Sequence, residues 1–232
     1  MILLLLGCNS RIVLAPVTVA HDSALDDDQK TYKVSEGDTL YAIAFRYDKD
    51  YRQLAVYNNL SNPYALQAGR IIYLQKRIVT RQAPSPSPSL SNAPPLIKHH
   101  PVIASNTWLW PAHGCIMHTF QPQHGQKGVD IVGTQKKLVV ASRGGVVAYA
   151  GNGLAKYGNL IIIKHSDHYL TAYGNNARNL IKEGQVVAPG EIIAVMGKLN
   201  NKLSGVHFEI RKAGSPMNPL SYLQKTKILY CK

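Results

Sequence analysis

The first regular apolar pattern in the chain, between residues 31 and 74, predicts two short helices enclosed by two strands. Tyr32-Lys33-Val34 has the pattern of a short strand, and Gly37-Asp38-Thr39 then supplies a turn and a helix cap. After the cap, apolar side chains recur at the i, i+3, i+4, i+7 spacing of one helix face: Leu40, Ile43, Ala44 and Tyr47. A second helix has Tyr51, Leu54 and Ala55 on one face, and residues 66–74 provide a turn and a closing strand. Since helices of two turns are unstable alone, we expect both to pack on the two-stranded sheet.

A second apolar pattern, after Trp108, consists of short runs separated by glycine, which is typical of an all-β domain. The predicted strands are Val139-Val140-Ala141, Gly145 to Ala150, Leu160 to Ile163, Gln185-Val186-Val187, Ile192 to Met196 and Val206 to Ile210. Six or more strands suffice for a packed antiparallel core.

Proline and serine dominate the stretch between these patterns, where Ala83-Pro84-Ser85-Pro86-Ser87-Pro88 prefers an extended backbone without a core. We therefore expect a linker that lets the two domains move independently. The predicted segments are an amino-terminal signal remnant (1–8), a tether (9–29), a small α+β domain (30–76), the linker (77–107), the mostly antiparallel all-β domain (108–224) and a tail (225–232).

The positive charge of the chain lies mainly in its second half. Of a formal net charge of +13 over 232 residues, residues 98–232 contribute 16 Lys/Arg against 5 Asp/Glu, a net +11. Such an excess favours an anionic partner, for example an acidic cell-wall polymer, an anionic lipid or an acidic protein. No helix-turn-helix, RNA-binding or finger pattern accompanies the charge, so we expect no nucleic acid partner.

The amino-terminal apolar run, Met1 to Leu6, is too short to span a bilayer and is followed by Gly7 and Cys8. It resembles the end of a bacterial lipoprotein signal, which implies lipidation of Cys8; a frayed apolar start is the alternative. No Lys or Arg precedes the run, which an upstream start codon would explain. In such lipoproteins an Asp after the lipidated cysteine implies retention at the inner membrane. This chain has Asn9 there, so the resemblance implies an outer-membrane anchor facing the periplasm. Cys115 and Cys231 then remain, as a disulfide or as two buried thiols.

The strand-helix-helix-strand order of residues 30–76 resembles a LysM domain. The matching features are Tyr32-Lys33-Val34, Gly37-Asp38-Thr39-Leu40, Ile43-Ala44, Tyr57-Asn58 and Leu66 with Gly69. The resemblance implies binding of N-acetylglucosamine-containing glycans such as peptidoglycan. The glycan-binding positions carried over from the family are Gly37, Asp38, Thr39, Leu40, Asn58, Asn59 and Leu60. Leu40 as plain core and Asn58 as a helix cap remain equally open.

Residues 110–219 resemble the LytM family, the M23 zinc endopeptidases that cut peptidoglycan cross-bridges. Framework matches include Lys127-Gly128-Val129-Asp130-Ile131, Tyr157-Gly158-Asn159, Thr171-Ala172-Tyr173 and His207-Phe208-Glu209-Ile210. Active members have His-x-Gly-x-Asp, Tyr-x-His and His-x-His, in which the first His, the Asp and the last His bind zinc. The remaining two histidines assist proton transfer and stabilise the tetrahedral intermediate.

Several of these positions are altered here. Gln126 replaces the first zinc ligand, Asn175 and Gly205 replace the two assisting histidines, and the remnant ligands Asp130 and His207 stay. An amide is a poor zinc donor, so we expect no bound metal, no cofactor and no catalytic residue. Strand alternation should place Gly205, His207 and Glu209 on one face. A bend at Gly128 is needed to bring Gln126 and Asp130 together.

The combined features resemble the NlpD-type amidase activators. The resemblance implies a periplasmic lipoprotein, held to the membrane only through its lipid, that activates an N-acetylmuramoyl-L-alanine amidase during cell division. It implies a partner groove at Gln126, Asp130, Asn175, Gly205 and His207. The alternative is an active zinc endopeptidase rescued by Gln126 itself or by another histidine; the candidates are His113, His118, His124, His165 and His168. A passive wall tether acting through the LysM domain alone is the third hypothesis.

Overall fold

The computed structural model describes residues 29–62, 64–76, 108–133, 138–166, 168–199, 203–225 and 229–231. The predicted signal with Cys8, almost all of the tether and the proline-rich linker lie outside the described residues. In the part of the chain that is described, no helix is both long and apolar enough to cross a lipid bilayer.

The first domain has the predicted order of two helices between two antiparallel strands. Its elements are β1 (Thr31–Lys33), α1 (Leu40–Arg46), α2 (Tyr51–Tyr57) and β2 (Ile71–Tyr73). Thr39 caps α1, because its hydroxyl accepts a hydrogen bond from Ala42 N at 3.1 Å, which confirms the predicted cap. Asp50 caps α2 through Arg52 N at 3.0 Å. The helices bury Leu40, Ile43 and Leu54 against Ile72.

The second domain is one antiparallel sheet. Its strands are β3 (Gly114–His118), β4 (Val129–Gly133), β5 (Leu138–Val140), β6 (Gly145–Gly151), β7 (Asn159–Lys164), β8 (Tyr169–Asn179), β9 (Val186–Val187), β10 (Ile192–Leu199), β11 (Leu203–Lys212) and β12 (Ser215–Met217). The strand order is β3-β4-β11-β10-β8-β7-β6-β9, with β12 paired to β11, β5 paired to β10, and β8 also paired to β11. Among the described residues of this domain, the helices are single 3₁₀ turns at Pro122–His124, Ala155–Tyr157 and Pro219–Ser221.

Apolar runs located six of these strands but not the longest one, β8. Its second half contains Gly174, Asn175 and Asn176, residue types that favour turns. Pairing overrides that preference, since β8 lies between β7 on one side and β10 and β11 on the other. The remaining bend appears as register shifts on both sides of β8, opposite Asn159 and Ile161 of β7 and opposite Val195 and Met196 of β10.

Cys115 and Cys231 form a disulfide across 116 residues of sequence, which decides between the two alternatives left by the sequence. The bond fixes the end of the chain along β3, where Cys231 N also donates to Ile116 O at 2.9 Å. Because β3 pairs with β4, the carboxyl terminus supports the edge of the sheet that carries Asp130.

The two domains are in contact, although the linker predicts independent domains. Ala42 and Phe45 of α1 are almost completely buried against an apolar patch of the sheet. That patch consists of Tyr149, Leu154, Leu160, Ile162, Leu170 and Ala172. Arg46 adds a hydrogen bond to Gly153 O at 2.7 Å.

The contact explains why β7 is apolar on both faces. Ile161 and Ile163 point into the main core of the sheet domain, while Leu160 and Ile162 point to α1. All four side chains are fully buried. A strand with water on one face would alternate apolar and polar residues, so this run indicates a sheet covered on both sides.

Candidate functional site

Asp130 and His207 lie opposite each other on β4 and β11. His207 Nδ1 donates to Asp130 Oδ1 at 2.6 Å, and Asp130 is only 8% exposed. Glu209 lies on the same face of β11 as His207, as strand alternation predicts, and its Oε1 accepts from His207 Nε2 at 3.0 Å. Both ring nitrogens of His207 are therefore bonded to carboxylates.

Gln126 reaches this pair because the chain bends at Gly128, where the sequence predicts a bend. A Cβ at Gly128 would lie 2.2 Å from Phe208 O, so only glycine permits this approach to β11. The amide of Gln126 is close enough to help lower the pKa of Asp130, although its buried Nε2 lies outside hydrogen-bond geometry.

Five histidines are proposed as substitute ligands. Within the described residues, His118 forms a bond to Asp130. Its Nδ1 lies 2.8 Å from Asp130 Oδ2. His124 is exposed and 3.3 Å from Gln121 Oε1, and His165 is buried between Gly144 O and Thr171 Oγ1. His113 and His168 are exposed.

The carboxylate of Glu209 is fully buried and surrounded by three donors. Tyr157 Oη donates to Oε1 at 2.8 Å, where His207 Nε2 also donates. Arg211, which is 1% exposed, donates through Nε to Oε2 at 2.7 Å. A buried charge is tolerated when it is paired and hydrogen-bonded in this way.

The pKa values follow from these contacts. Burial would lower the pKa of His207, but hydrogen bonds to Asp130 and Glu209 raise it to about 9. Burial would raise the pKa of Glu209, but Arg211 and then His207 lower it to about 2. The pKa of Asp130 is also held below its ordinary value, against the effect of burial, chiefly by His207 and then by His118. At neutral pH the imidazole of His207 is thus charged, and both of its nitrogens are donors.

The two other altered positions differ in their surroundings. Gly205 is buried on β11 opposite Val132, and a Cβ there would lie 2.3 Å from Leu199 Cδ1 and 2.6 Å from Ile131 O. Leu199 therefore fills the space that a larger side chain would need. Asn175 has a left-handed backbone, with φ of 61°, and follows Gly174, which pairs with His207.

The first domain reaches the edge of this cluster through Asp48. Its carboxylate accepts from Arg211 and from Lys127, the neighbour of Gln126. Phe45 packs against the same guanidinium, with its ring centre 4.0 Å from Arg211 Cζ, and 5.2 Å from the ring of Tyr157. Ion pairs consequently run without a break from Asp48 to Asp130.

Both carboxylate oxygens of Asp130 lie within hydrogen-bond distance of histidine nitrogens, and both ring nitrogens of His207 lie within hydrogen-bond distance of carboxylates. Over the described ranges, no group of three or more His, Cys, Asp or Glu side chains is arranged to hold a metal ion.

Comparison with known proteins identifies both domains. The model of the LysM domain matches residues 32–75, and that of peptidase family M23 matches residues 124–219. The "Lipoprotein NlpD/LppB homolog" of Pseudomonas aeruginosa is 37% identical over 228 residues, which cover 84% of this chain and 77% of that protein. The chain belongs to the NlpD family.

Two further relatives of this NlpD-family chain come from Escherichia coli strain K12. The "Murein hydrolase activator NlpD" is 32% identical over 255 residues, which cover 83% of this chain and 67% of that protein. The "Uncharacterized lipoprotein YgeR" is 36% identical over 202 residues, which cover 83% of this chain and 80% of that protein.

The predicted glycan-binding positions of this NlpD-family chain differ in accessibility. Leu40 is 1% exposed and belongs to the core, and Asn58 is 7% exposed. The Asn58 amide bonds Leu54 O, Tyr73 O and Tyr73 N, at 2.8, 2.9 and 2.7 Å, and so joins α2 to β2. The other five positions, Gly37, Asp38, Thr39, Asn59 and Leu60, are exposed or half-buried.

Sequence reasoning missed Tyr157 and Arg211 as neighbours of the NlpD-family site. Arg211 could have been found, because strand alternation places it on the face of His207 and Glu209. Tyr157 lies in a 3₁₀ turn outside any strand, and Asp48 lies in the other domain. No local sequence pattern indicates either contact.

Proposed function

We propose that this protein is a catalytically inactive, peptidoglycan-binding lipoprotein that activates a periplasmic N-acetylmuramoyl-L-alanine amidase during cell-wall splitting at division. The proposal depends mainly on one observation, that both nitrogens of His207 are held by the carboxylates of Asp130 and Glu209. Such an imidazole offers no lone pair to zinc and accepts no proton from water. The role that remains for the M23 domain is to bind the amidase.

The other altered positions support a metal-free site. Gln126 supplies an amide in place of imidazole, and Leu199 occupies the space beside Gly205. Asn175 has no group that titrates near neutral pH, so it cannot relay a proton. We therefore assign no zinc, no other cofactor and no catalytic residue to this chain.

We expect the five altered or remnant positions to form the surface that contacts the amidase. Its residues are Gln126, Asp130, Asn175, Gly205 and His207. Relatives named murein hydrolase activator support this partner class, since they align with most of the chain. The LysM domain supplies the contact with peptidoglycan, in agreement with its family match.

A lipid on Cys8 would hold the protein at the outer membrane, facing the periplasm. A relative of 35% identity in Histophilus somni is named "Outer membrane antigenic lipoprotein B", which supports this location. Labelling of cells with a radioactive or alkyne-tagged fatty acid tests it. Label should appear in the wild-type protein and be absent from Cys8→Ser.

The central experiment incubates purified peptidoglycan with this protein, with an amidase, and with both. We expect soluble peptides released from the glycan strands only when both proteins are present. We expect the amount to be unchanged after this protein has been treated with a chelator and dialysed. Release by this protein alone, abolished by the chelator, would establish the endopeptidase alternative. Wall binding with no effect on the amidase would establish the passive tether.

A further inference from the structure

The contact between the LysM and M23 domains leaves both proposed binding surfaces uncovered. Its LysM side comes mainly from α1 and the turn after it, within residues 41–50. This range contains none of the predicted glycan-binding positions. With the domains in contact, residues 37–39 and Asn59 are exposed or half-buried, and Gln126 and His207 of the amidase-contact positions are half-buried. The contact therefore leaves room for glycan and amidase to bind at the same time.

One end of the contact is tied to the predicted glycan-binding turn. Asp38 Oδ2 accepts hydrogen bonds from Ser35 N at 2.8 Å and from Tyr32 Oη at 2.7 Å. Arg46 donates through Nη1 to the same Tyr32 hydroxyl at 3.3 Å, and through Nη2 to Gly153 O of the M23 domain at 2.7 Å. A short chain of hydrogen bonds thus joins the turn that contains Asp38 to the M23 domain.

The other end of the contact reaches the expected amidase surface. Asp48 accepts hydrogen bonds from Lys127, which is the neighbour of Gln126, and from Arg211. Arg211 is 1% exposed and also donates to Glu209 at 2.7 Å. The same contact consequently holds the glycan-binding turn at one end and the amidase surface at the other.

Gly214 shows that the two domains fit each other closely. It lies in the turn between β11 and β12, is buried, and has a left-handed φ of 86°. A Cβ there would lie 2.4 Å from Lys49 C and 2.6 Å from Asp50 N of the LysM domain. Because the clashing atoms belong to the backbone, a side chain at this position would have to push the domains apart.

A constant separation between the two surfaces matters because the substrate is a polymer. An N-acetylmuramoyl-L-alanine amidase cuts the bond between the glycan and its peptide, so its target bonds lie on the strand that the LysM domain binds. A flexible linker alone would spread the amidase over many distances from the bound glycan, whereas a fixed geometry holds it near its target.

We propose that the contact between the LysM and M23 domains positions the activated amidase at a constant distance along the glycan strand held by the LysM domain. Phe45, Arg46, Asp48 and Gly214 are the positioning residues, and they contact neither the substrate nor the amidase. The inference rests on the proposed function, since it requires both wall binding and amidase activation. A contact that restrained activation would cover the amidase-contact positions, which this contact leaves uncovered.

Gly214→Asn separates the domains without changing either binding surface. Asparagine tolerates a left-handed φ, but its side chain meets the LysM backbone. Gly184→Asn is the matched control, because Gly184 has a φ of 80° and open space where a Cβ would be. In small-angle X-ray scattering of the full chain, we expect a larger radius of gyration for Gly214→Asn and the wild-type value for Gly184→Asn.

Activation is then measured with a purified N-acetylmuramoyl-L-alanine amidase on two substrates, insoluble peptidoglycan and a soluble disaccharide-peptide that is too short to reach both surfaces. On peptidoglycan, Gly214→Asn should release peptide about five-fold more slowly than wild type. On the soluble substrate it should equal wild type. Its sedimentation with peptidoglycan and its affinity for the amidase by calorimetry should also be unchanged, which a merely structural defect would not produce.

Phe45→Lys opens the contact from the LysM side. Phe45 belongs to the cluster shared with the sheet, whereas other residues form the LysM core, and its ring lies 4.0 Å from Arg211 Cζ. A lysine there faces a buried cation, so this variant should show the same difference between the two substrates. Phe45→Leu, which stays apolar, should retain most of the wild-type rate on peptidoglycan. Gln53→Lys, which adds the same charge at an exposed site on α2, should leave that rate unchanged.

Three outcomes would overturn this inference and leave the proposed function intact. A wild type as extended in scattering as Gly214→Asn would show that the contact does not persist in solution. With separated domains, an unchanged rate on peptidoglycan would show that the two surfaces work independently, and a faster rate would show that the contact restrains the amidase. If the wild type activates the amidase on neither substrate, the proposed function itself fails, and this inference with it.

Discussion

Gln126 places an amide beside Asp130 at a position where an imidazole would complete a set of three zinc ligands. We predict that Gln126→His raises zinc occupancy from a trace to nearly one ion per chain, because zinc then competes with the proton on His207. Metal content after dialysis, measured by mass spectrometry, tests this. Gln123→His is the control, since Gln123 is exposed in the 3₁₀ turn upstream.

The same variant should not cut peptidoglycan. Asn175 and Gly205 provide no group that titrates near neutral pH, and Leu199 fills the space beside Gly205. Cross-bridge cleavage by Gln126→His with zinc would show that proton transfer does not need the missing histidines. The altered residues themselves were predictable from sequence, whereas the filling of the space by Leu199 was not, because it depends on how β10 lies against β11.

His165 gives a pH dependence that can be predicted with its sign. Burial, chiefly, and then the charge of Arg143 lower its pKa from 6.5 to about 4, although a hydrogen bond to Gly144 O opposes the shift. The unfolded chain therefore binds a proton below pH 6.5 that the folded chain rejects. The contribution to stability is complete above pH 6.5 and is lost as the pH falls toward 4, by at most about 3 kcal/mol.

Urea unfolding at pH 7 and at pH 5 measures this loss. His165→Gln should be less stable than wild type at pH 7 and should lose less stability between the two pH values. Glu209, with a folded pKa of about 2, and His207, with a folded pKa of about 9, are present in both proteins, so their contributions cancel in the comparison. Equal losses in both proteins would show that another group is responsible.

Helices α1 and α2 were predictable because their signals are local. Thr39 and the apolar spacing after it define α1, and the structure has the helix begin at Leu40. The strand β8 was not predictable to the same degree, because its polar residues are held by pairing with strands far away in sequence. The same limit applies to Asn58, whose partners on β2 are 15 residues away.

Substitutions at Asn58 and Asn59 separate a role in folding from a role in glycan binding. We predict that Asn58→Ala lowers the free energy of unfolding of the LysM domain by about 2 kcal/mol, since it breaks the bonds between α2 and β2. Asn59 is exposed with a left-handed φ of 50°, so Asn59→Gly should keep the stability unchanged. Chemical denaturation of the full chain, followed by a LysM-specific probe, measures both.

Peptidoglycan binding should fall in Asn59→Gly, although the stability of this variant is expected to be unchanged. Asn59→Gly removes an exposed side chain from the predicted groove, so sedimentation with purified peptidoglycan should fall several-fold. A variant that binds as well as wild type would remove Asn59 from the set of glycan-binding residues. The buried amide of Asn58 would then leave Gly37, Asp38, Thr39 and Leu60 as the accessible candidates.

The arrangement of the two domains was the largest feature that the sequence did not predict. The proline-rich linker is compatible with any separation, and it gives no indication of contact. One indication was present: Leu160 to Ile163 is apolar at every position, which implies a cover on both faces of β7. The sequence does not indicate that α1 is the element that covers β7, because a short apolar helix can pack on many surfaces.

The domain contact predicts coupled unfolding. Asp48 adds a carboxylate to the buried Arg211 and to Lys127, and Phe45 packs on the same guanidinium. Asp48→Asn should weaken the contact by about 1–2 kcal/mol, because Asp48 is partly exposed and part of its interaction is screened. Asn tolerates the left-handed φ of 52° at this position as well as Asp does, so the substitution changes charge without adding backbone strain.

Calorimetry of the full chain measures the consequence. In the wild type, the LysM and M23 domains should unfold in overlapping transitions, because each stabilises the other through the shared apolar cluster. In Asp48→Asn the LysM transition should move to lower temperature and separate from that of the sheet. Glu36→Gln, an exposed charge change in the same domain, should leave the profile as in wild type. Identical profiles in all three proteins would show that the domains do not stabilise each other in solution, and the two apolar faces would then require different partners.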